Sequence, residues 1–253
     1  MIKLTNLTRQ FGSRKVVNDL NLEVNSGEIF GFLGPNGAGK TTTIKMMVGL
    51  LKPTTGTVTI CDYDIQKEER QAKGCIGFVA DEPFLYEKLD GIEFLELVAS
   101  LYYVPRKEIT RRLEELLRLL DLRSATYQLI ETYSKGMRRK IALAGALIHN
   151  PQVLILDEPT EGLDPPSAKL IKDLLRELTK RGVTVFLTTH ILEIAERFCD
   201  RVGIINSGSL VVLGTVKELL VVRREKNLED FFLKLVGGNK YQDLITYLDR
   251  EWQ

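Results

Sequence analysis

Five apolar residues, Ile29-Phe30-Gly31-Phe32-Leu33, run directly into Gly34-Pro35-Asn36-Gly37-Ala38-Gly39-Lys40-Thr41-Thr42, and an α/β architecture follows from that junction. The second segment satisfies G-x-x-x-x-G-K-[ST] in the required setting, after a strand and before a helix. Glycines let consecutive backbone N–H groups curve around a polyanion with no side chain in the way. The helix that follows turns its positive end toward the same point. Lys40 is expected to add a full charge on the β/γ oxygens of a triphosphate, Thr41 to offer its hydroxyl to Mg²⁺, and Thr42 to make a further phosphate contact.

Outward from this loop, Ile44, Met47, Val48 and Leu51 recur at helical spacing, and Pro53 closes the pattern. Upstream, Ile2-Lys3-Leu4 and Asn21-Leu22-Glu23-Val24 read as strands; downstream, so does Thr57-Val58-Thr59-Ile60. From about Leu89 to Asn150 the pattern turns helical, with Ile109, Leu113, Leu116, Leu117 and Leu120 on one face of a helix begun by Pro105. Alternation then resumes: Val153 to Leu156 is an apolar strand, Ala168 to Arg181 a helix ending at Gly182, and Val183 to Leu187 another strand. A mainly parallel sheet with helices on it, interrupted by a helical insert, is the expected organisation. In the tail, Thr215-Val216-Lys217-Glu218 is a capping box. Leu228, Phe231, Phe232 and Leu235 mark an apolar helical face expected to pack on the core, and Gly237-Gly238 precedes a third helix.

The strand Val153-Leu154-Ile155-Leu156 ends in Asp157-Glu158. A carboxylate at a strand's C-terminal end beside a phosphate loop can hold Mg²⁺ directly or through water, the part expected of Asp157. Glu158, one residue on, is expected to poise a water for in-line attack on the γ-phosphate. The second apolar strand runs into Thr188-Thr189-His190, where His190 can sense that phosphate, whereas His149 reads as an ordinary surface or core histidine.

Composition sets the class. Hydrophobic residues at 44% and charged residues at 27% suit a globular chain, and 35 basic against 34 acidic residues give no general attraction to nucleic acid or anionic lipid. No run approaches the roughly 20 apolar residues of a membrane-spanning helix. The N-terminus lacks the apolar core of a signal peptide. Three scattered cysteines, Cys61, Cys75 and Cys199, suit reduced thiols. A soluble intracellular chain is expected.

In this order the motifs resemble the nucleotide-binding domain of ATP-binding cassette (ABC) proteins, from about Ile2 to Gly214. The resemblance implies a P-loop fold with an N-terminal antiparallel β part beside the parallel core. It implies a cassette over residues 1–214, with a helical subdomain inserted at about 84–150, and a C-terminal helical extension over 215–253. Phe11 resembles the aromatic residue that stacks on adenine. Tyr133-Ser134-Lys135-Gly136-Met137 resembles the LSGGQ signature, with Arg138-Arg139-Lys140 following on a helix. Glu161-Gly162-Leu163-Asp164 resembles the D-loop, and His190 the switch histidine. Aligned through Ile76-Gly77-Phe78-Val79-Ala80, the usual Q-loop glutamine is replaced by Asp81, followed by Glu82-Pro83; Asp81 still has oxygens for Mg²⁺ but no donor at neutral pH.

The family works as a head-to-tail dimer, in which Ser134 and Gly136 would close on ATP held by the partner's phosphate loop. The resemblance thus implies an ATPase using ATP and Mg²⁺, paired with a second, identical or related cassette. It would drive a separate transmembrane permease from the cytoplasmic face of the membrane, with no nucleic acid involved. The residues before Pro83 and the Tyr-Ser-Lys-Gly-Met variant resemble the branch serving type-2 export permeases. The alternative is a soluble mechanochemical ABC ATPase acting on nucleic acid or ribosomes. DNA-repair members, however, insert a very long coiled coil between lysine and acid pair, and ribosomal members carry two cassettes. GTPases need N-K-x-D, which Asn239-Lys240-Tyr241-Gln242 fails at its last residue.

Overall fold

The computed structural model describes residues 1–223 and 227–236. β1 (Ile2–Phe11) and β2 (Arg14–Val24) form an antiparallel hairpin with Ile2 opposite Val24 and Phe11 opposite Arg14. β3 (Ile29–Leu33) leaves this sheet for another, while β4 (Thr55–Ile60) returns to pair antiparallel with β1 and carries the short β5 (Tyr63–Asp64) on its other side. Along β2 the buried residues Leu20, Leu22 and Val24 alternate with exposed ones, the period-two pattern of a sheet with one covered face. The two sequence-read fragments of this region are the ends of longer strands.

The second sheet contains β3, β6 (Ile76–Val79), β7 (Val153–Asp157), β8 (Thr184–Thr189), β9 (Arg201–Asn206) and β10 (Ser209–Thr215). Its order is β10-β9-β3-β8-β7-β6, all parallel except β10, which runs antiparallel to β9. β3, β7 and β8 are buried at every position, as the continuous apolar runs require of strands covered on both faces. Alternation divides their side chains between two cores. Phe30, Phe32, Ile155 and Phe186 pack toward the antiparallel sheet and α1 (Lys40–Met47). Ile29, Leu33, Leu154, Leu156 and Leu187 pack toward helices on the opposite face.

Between β6 and β7 lie α3 (Gly91–Leu101), α4 (Arg106–Leu119) and α5 (Lys135–Leu147), following α2 (Glu69–Gly74). This is the expected helical insert. Leu113, Leu117 and Leu120 are buried, with Ile109 and Leu116 partly so. α6 (Pro165–Lys180) and α7 (Leu192–Phe198) cross between the later strands. The hairpin of β9 and β10 has no counterpart in the sequence reading, although Ser207 (φ 48°) and Gly208 (φ 83°) after Asn206 form the turn with two positive φ values that favours tight hairpins. In α8 (Val216–Arg223), Thr215 and Glu218 exchange hydrogen bonds of 3.0 and 3.2 Å, the expected capping box. α9 (Leu228–Val236) buries Leu228 and Phe231 in the core with Phe232 against it, as expected of a packed tail. The Leu235 side chain and the third tail helix lie outside the described residues. Among the described residues no helix is long and apolar enough to cross a membrane.

Candidate functional site

Parallel strands in close register deliver their following loops to one edge. Leu33 of β3 stands opposite Thr189 of β8, Thr188 opposite Asp157 of β7, and Leu156 opposite Val79 of β6. The glycine loop, Asp81, the acid pair and His190 therefore leave the sheet side by side, in the crevice outside the strand ends where open α/β sheets bind ligands.

The loop is shaped by its glycines. Gly39, directly before α1, has φ 112°, and a Cβ there would sit 2.7 Å from the Val16 carbonyl oxygen. No side chain caps α1 and its first turn holds no acid, which leaves its N-terminal amides to an outside anion. Lys40 folds back along the loop, its Nζ donating to the carbonyls of Gly34 (2.7 Å) and Pro35 (3.2 Å). Burial pushes the Lys40 amine below its ordinary range, opposed by the carboxylates of Glu158 and Asp157.

Asp157 is buried and held from both sides. Thr188 donates its hydroxyl to Oδ1, while the Thr41 hydroxyl donates to Oδ2 at 3.3 Å. Thr41 and Asp157 bring together a hydroxyl and a carboxylate, a donor set suited to Mg²⁺. The charge around them also fits: Asp81, Glu82, Asp157, Glu158 and Glu161 line the cleft against Lys40 and Lys45. Five carboxylates facing two amines favour a nucleotide that brings a divalent cation with it. Glu158 adopts φ 50°, and its N–H donates to the Thr188 hydroxyl at 3.1 Å. Its Oε1 lies 3.1 Å from His190 Nδ1, and its Oε2 accepts from the His190 backbone N–H at 3.4 Å.

One cleft thus gathers Asn36, Lys40, Thr41, Asp81, Asp157, Glu158 and His190. Gly34, Pro35, Gly37, Ala38, Gly39 and Thr42 complete the loop and helix start behind it. The cleft does not include Phe11, Ser134 or Gly136. Phe11 is half-exposed at the end of the first hairpin, with the Arg9 guanidinium 4.4 Å from its ring centre. Ser134 caps α5 by accepting from the Met137 N–H at 3.2 Å, and Leu163 of the D-loop segment lies close to Gly136. Sequence reasoning missed Glu161, Glu82 and Lys45 as cleft residues, and it missed Arg139. That arginine is only 2% exposed and donates from Nη1 to the Glu158 carbonyl, and from Nη2 to the carbonyl and carboxylate of Asp81. The signal was present: the run Ile141 to Leu147 is apolar all round, so α5 is a buried helix, and a cation within it needs partners.

Residues 17–161 match the family model for ABC transporters. The bacitracin transport ATP-binding protein BcrA of Bacillus licheniformis is 41% identical over 212 residues, covering 83% of this chain and 68% of BcrA. The Nod factor export ATP-binding protein I of Cupriavidus metallidurans is 38% identical over 220 residues, covering 87% of this chain and 73% of that protein. A dimeric ATP-binding cassette in a post-hydrolysis state, bound to ADP and Pi, superposes with a TM-score of 0.78 at 28% identity, over 85% of this chain and 98% of that one. The chain belongs to the ABC transporter family, as an ATP-binding, ATP-hydrolysing cassette that uses ATP with Mg²⁺.

Proposed function

We propose that this cassette pairs head to tail with a second cassette around two Mg-ATP, at the cytoplasmic face of a membrane, and drives a separate permease of the export type. The observation that carries the pairing is the division of the site. The phosphate loop, Asp157, Glu158 and His190 share one cleft, while Ser134 and Gly136 lie outside it at the start of α5. A helix start is an anion site in waiting, and a second copy can bring one to each cleft. Relatives named for bacitracin transport and Nod factor export support a transport role over action on nucleic acid or ribosomes, and support the export direction.

Within the cleft, Lys40 supplies charge to the phosphate oxygens, and Thr41 with Asp157 would hold Mg²⁺, which neutralises charge on the transferring phosphoryl group. Glu158 accepts the proton of the attacking water as the γ-phosphate separates from ADP, and His190 holds the departing phosphate's place. Phe11 is assigned to the adenine and Thr42 to a further phosphate oxygen. Asp81 reaches the same cleft, yet its carboxylate is paired with Arg139, which favours a positioning part over the expected metal contact. Size-exclusion chromatography of Glu158→Gln with Mg-ATP tests the pairing. A dimer is expected, and a protein that stays monomeric at every concentration overturns it.

A further inference from the structure

Arg139 is placed where no solvent-seeking side chain belongs. The residues of α5 from Arg139 to Leu147 are all buried, and a guanidinium there must have its charge and donors satisfied by the protein. It meets two loops at once. Nη1 donates to the backbone carbonyl of Glu158, and Nη2 donates to the backbone carbonyl of Asp81 and, at 3.0 Å, to the Asp81 carboxylate. These are the loops leaving the adjacent parallel strands β7 and β6. Arg139 does not line the nucleotide cleft, so it acts on the chemistry only through what it holds.

What it holds is a strained residue. Glu158 has φ 50°, a conformation in which Cβ crowds its own backbone and which persists only where the surroundings impose it. Three hydrogen bonds hold it here: the Thr188 hydroxyl takes the Glu158 N–H, and the Glu158 carbonyl accepts from the Glu161 N–H at 3.2 Å and from Arg139, the one charged donor of the set. With both flanking peptides fixed, the carboxylate is aimed at His190. Asp81 in turn anchors the guanidinium. A neutral side chain at position 81 would leave Arg139 with one carbonyl and no countercharge on that side.

We infer that Arg139 is a positioning residue for hydrolysis, fixing the Glu158 backbone in its left-handed conformation, and that the Asp81 carboxylate serves the reaction by holding Arg139 in place. The inference rests on Glu158 as the base, and the test keeps the two claims separable.

The experiment measures ATPase kinetics, binding of a fluorescent ATP analogue and thermal stability for the full chain and for Arg139→Lys, Arg139→Met, Asp81→Asn and the Arg139→Met/Asp81→Asn double variant. Arg139→Lys keeps the charge but cannot span both loops. Expected is a fall in kcat of about tenfold or more in each single variant, with analogue affinity held within about twofold, the mark of an interaction used only in the transition state. The double variant should be no slower than Arg139→Met alone, because both changes break one linkage. Additive losses in the double variant, with a raised Mg²⁺ requirement in Asp81→Asn, would assign Asp81 to the metal and overturn the linkage. An unchanged kcat in Arg139→Lys overturns the positioning role, as does a kcat loss matched by an equal loss of analogue binding. Should Arg139→Met fail to fold, Arg139→Lys and Asp81→Asn decide the matter alone. Glu158→Gln, run beside them, isolates the underlying reading. If it turns over normally, the base assignment has failed; if it is dead while Arg139→Lys is fully active, only the present inference has.

Discussion

Both carboxylate oxygens of Glu158 face His190: Oε1 lies 3.1 Å from the imidazole Nδ1, and Oε2 accepts from the backbone N–H at 3.4 Å. The residue that follows β7 and the residue that follows β8 thus meet across the strand ends. This geometry supports the proposed roles of Glu158 as the base for water and of His190 as its neighbour at the γ-phosphate. Glu158→Gln should lower kcat by a factor on the order of 100 or more while retaining ATP binding, and His190→Ala should also slow turnover. Normal turnover by Glu158→Gln would remove its assignment as base.

Lys40 is a buried lysine that closes the loop motif, and its amine rests on the Gly34 and Pro35 carbonyls. Lys40→Ala should weaken ATP binding severely, measurable by calorimetry, with little change in melting temperature. Retained affinity would argue against phosphate binding at this loop.

Thr41 and Thr188 bracket the Asp157 carboxylate, one hydroxyl on each oxygen. Asp157→Asn and Thr41→Val should raise the Mg²⁺ concentration needed for half-maximal ATPase activity. Thr188→Val should have a smaller effect, because it orients Asp157 and is not assigned to the metal. Unchanged Mg²⁺ titrations for the first two variants would move the metal elsewhere.

Ring burial next to Phe30 and Phe32 makes Phe186 a test of the sheet that carries the site. The Phe186 ring centre lies 5.7 Å from that of Phe30 and 5.5 Å from that of Phe32, with no surface exposed. Phe186→Ala should cost about 3–5 kcal/mol in chemical denaturation. A loss below about 1 kcal/mol would mean that this core repacks without strain.

His149 gives stability a pH dependence of definite sign. Its imidazole stacks on Tyr102 with ring centres 3.7 Å apart, and its Nε2 lies 3.0 Å from the Ile76 carbonyl oxygen. Burial, with help from the nearby Arg112 charge, pushes its pKa below the ordinary 6.5. The unfolded chain therefore binds a proton more readily than the folded one, and stability present above 6.5 is lost as pH falls from there through the folded value. Melting temperature should decline from about pH 7 to about pH 5, and less steeply in His149→Gln. Parallel declines in the two proteins would place the effect on other groups.

The parts of the site legible in the sequence were those whose chemistry is local. The glycine loop announces itself because its backbone geometry and its charge are supplied by consecutive residues. Asp157 and Glu158 could be placed at a strand end because Val153 to Leu156 is an unbroken apolar run, and the insert could be recognised from the leucine face of α4. The β9–β10 hairpin escaped although its strands, of six and seven residues, are longer than β3 and β7; the overlooked signal was the Ser207-Gly208 turn. Glu82 and Glu161 escaped although they adjoin Asp81 and the acid pair, and Lys45 although it stands four residues after Thr41 on α1, because which side chains turn into the cleft is set by tertiary packing. Asp81 is visible in the sequence as a departure from glutamine, but its partner lies on α5 in Arg139, whose place in Arg138-Arg139-Lys140 gives no sign of which of the three reaches Asp81.

Local order of residues determined the anion-binding loop, the acid pair, the helical insert and the family, since each depends on backbone geometry, capping or periodicity within a few turns of chain. Tertiary structure alone decided which strands are neighbours, and with them the meeting of Glu158 with His190 and the bridge of Arg139 to both Glu158 and Asp81. Parallel pairing joins residues far apart in the chain through contacts whose register is selected by the packing of two cores, one on each sheet face. That selection is a property of the whole packed chain, and no single segment encodes it.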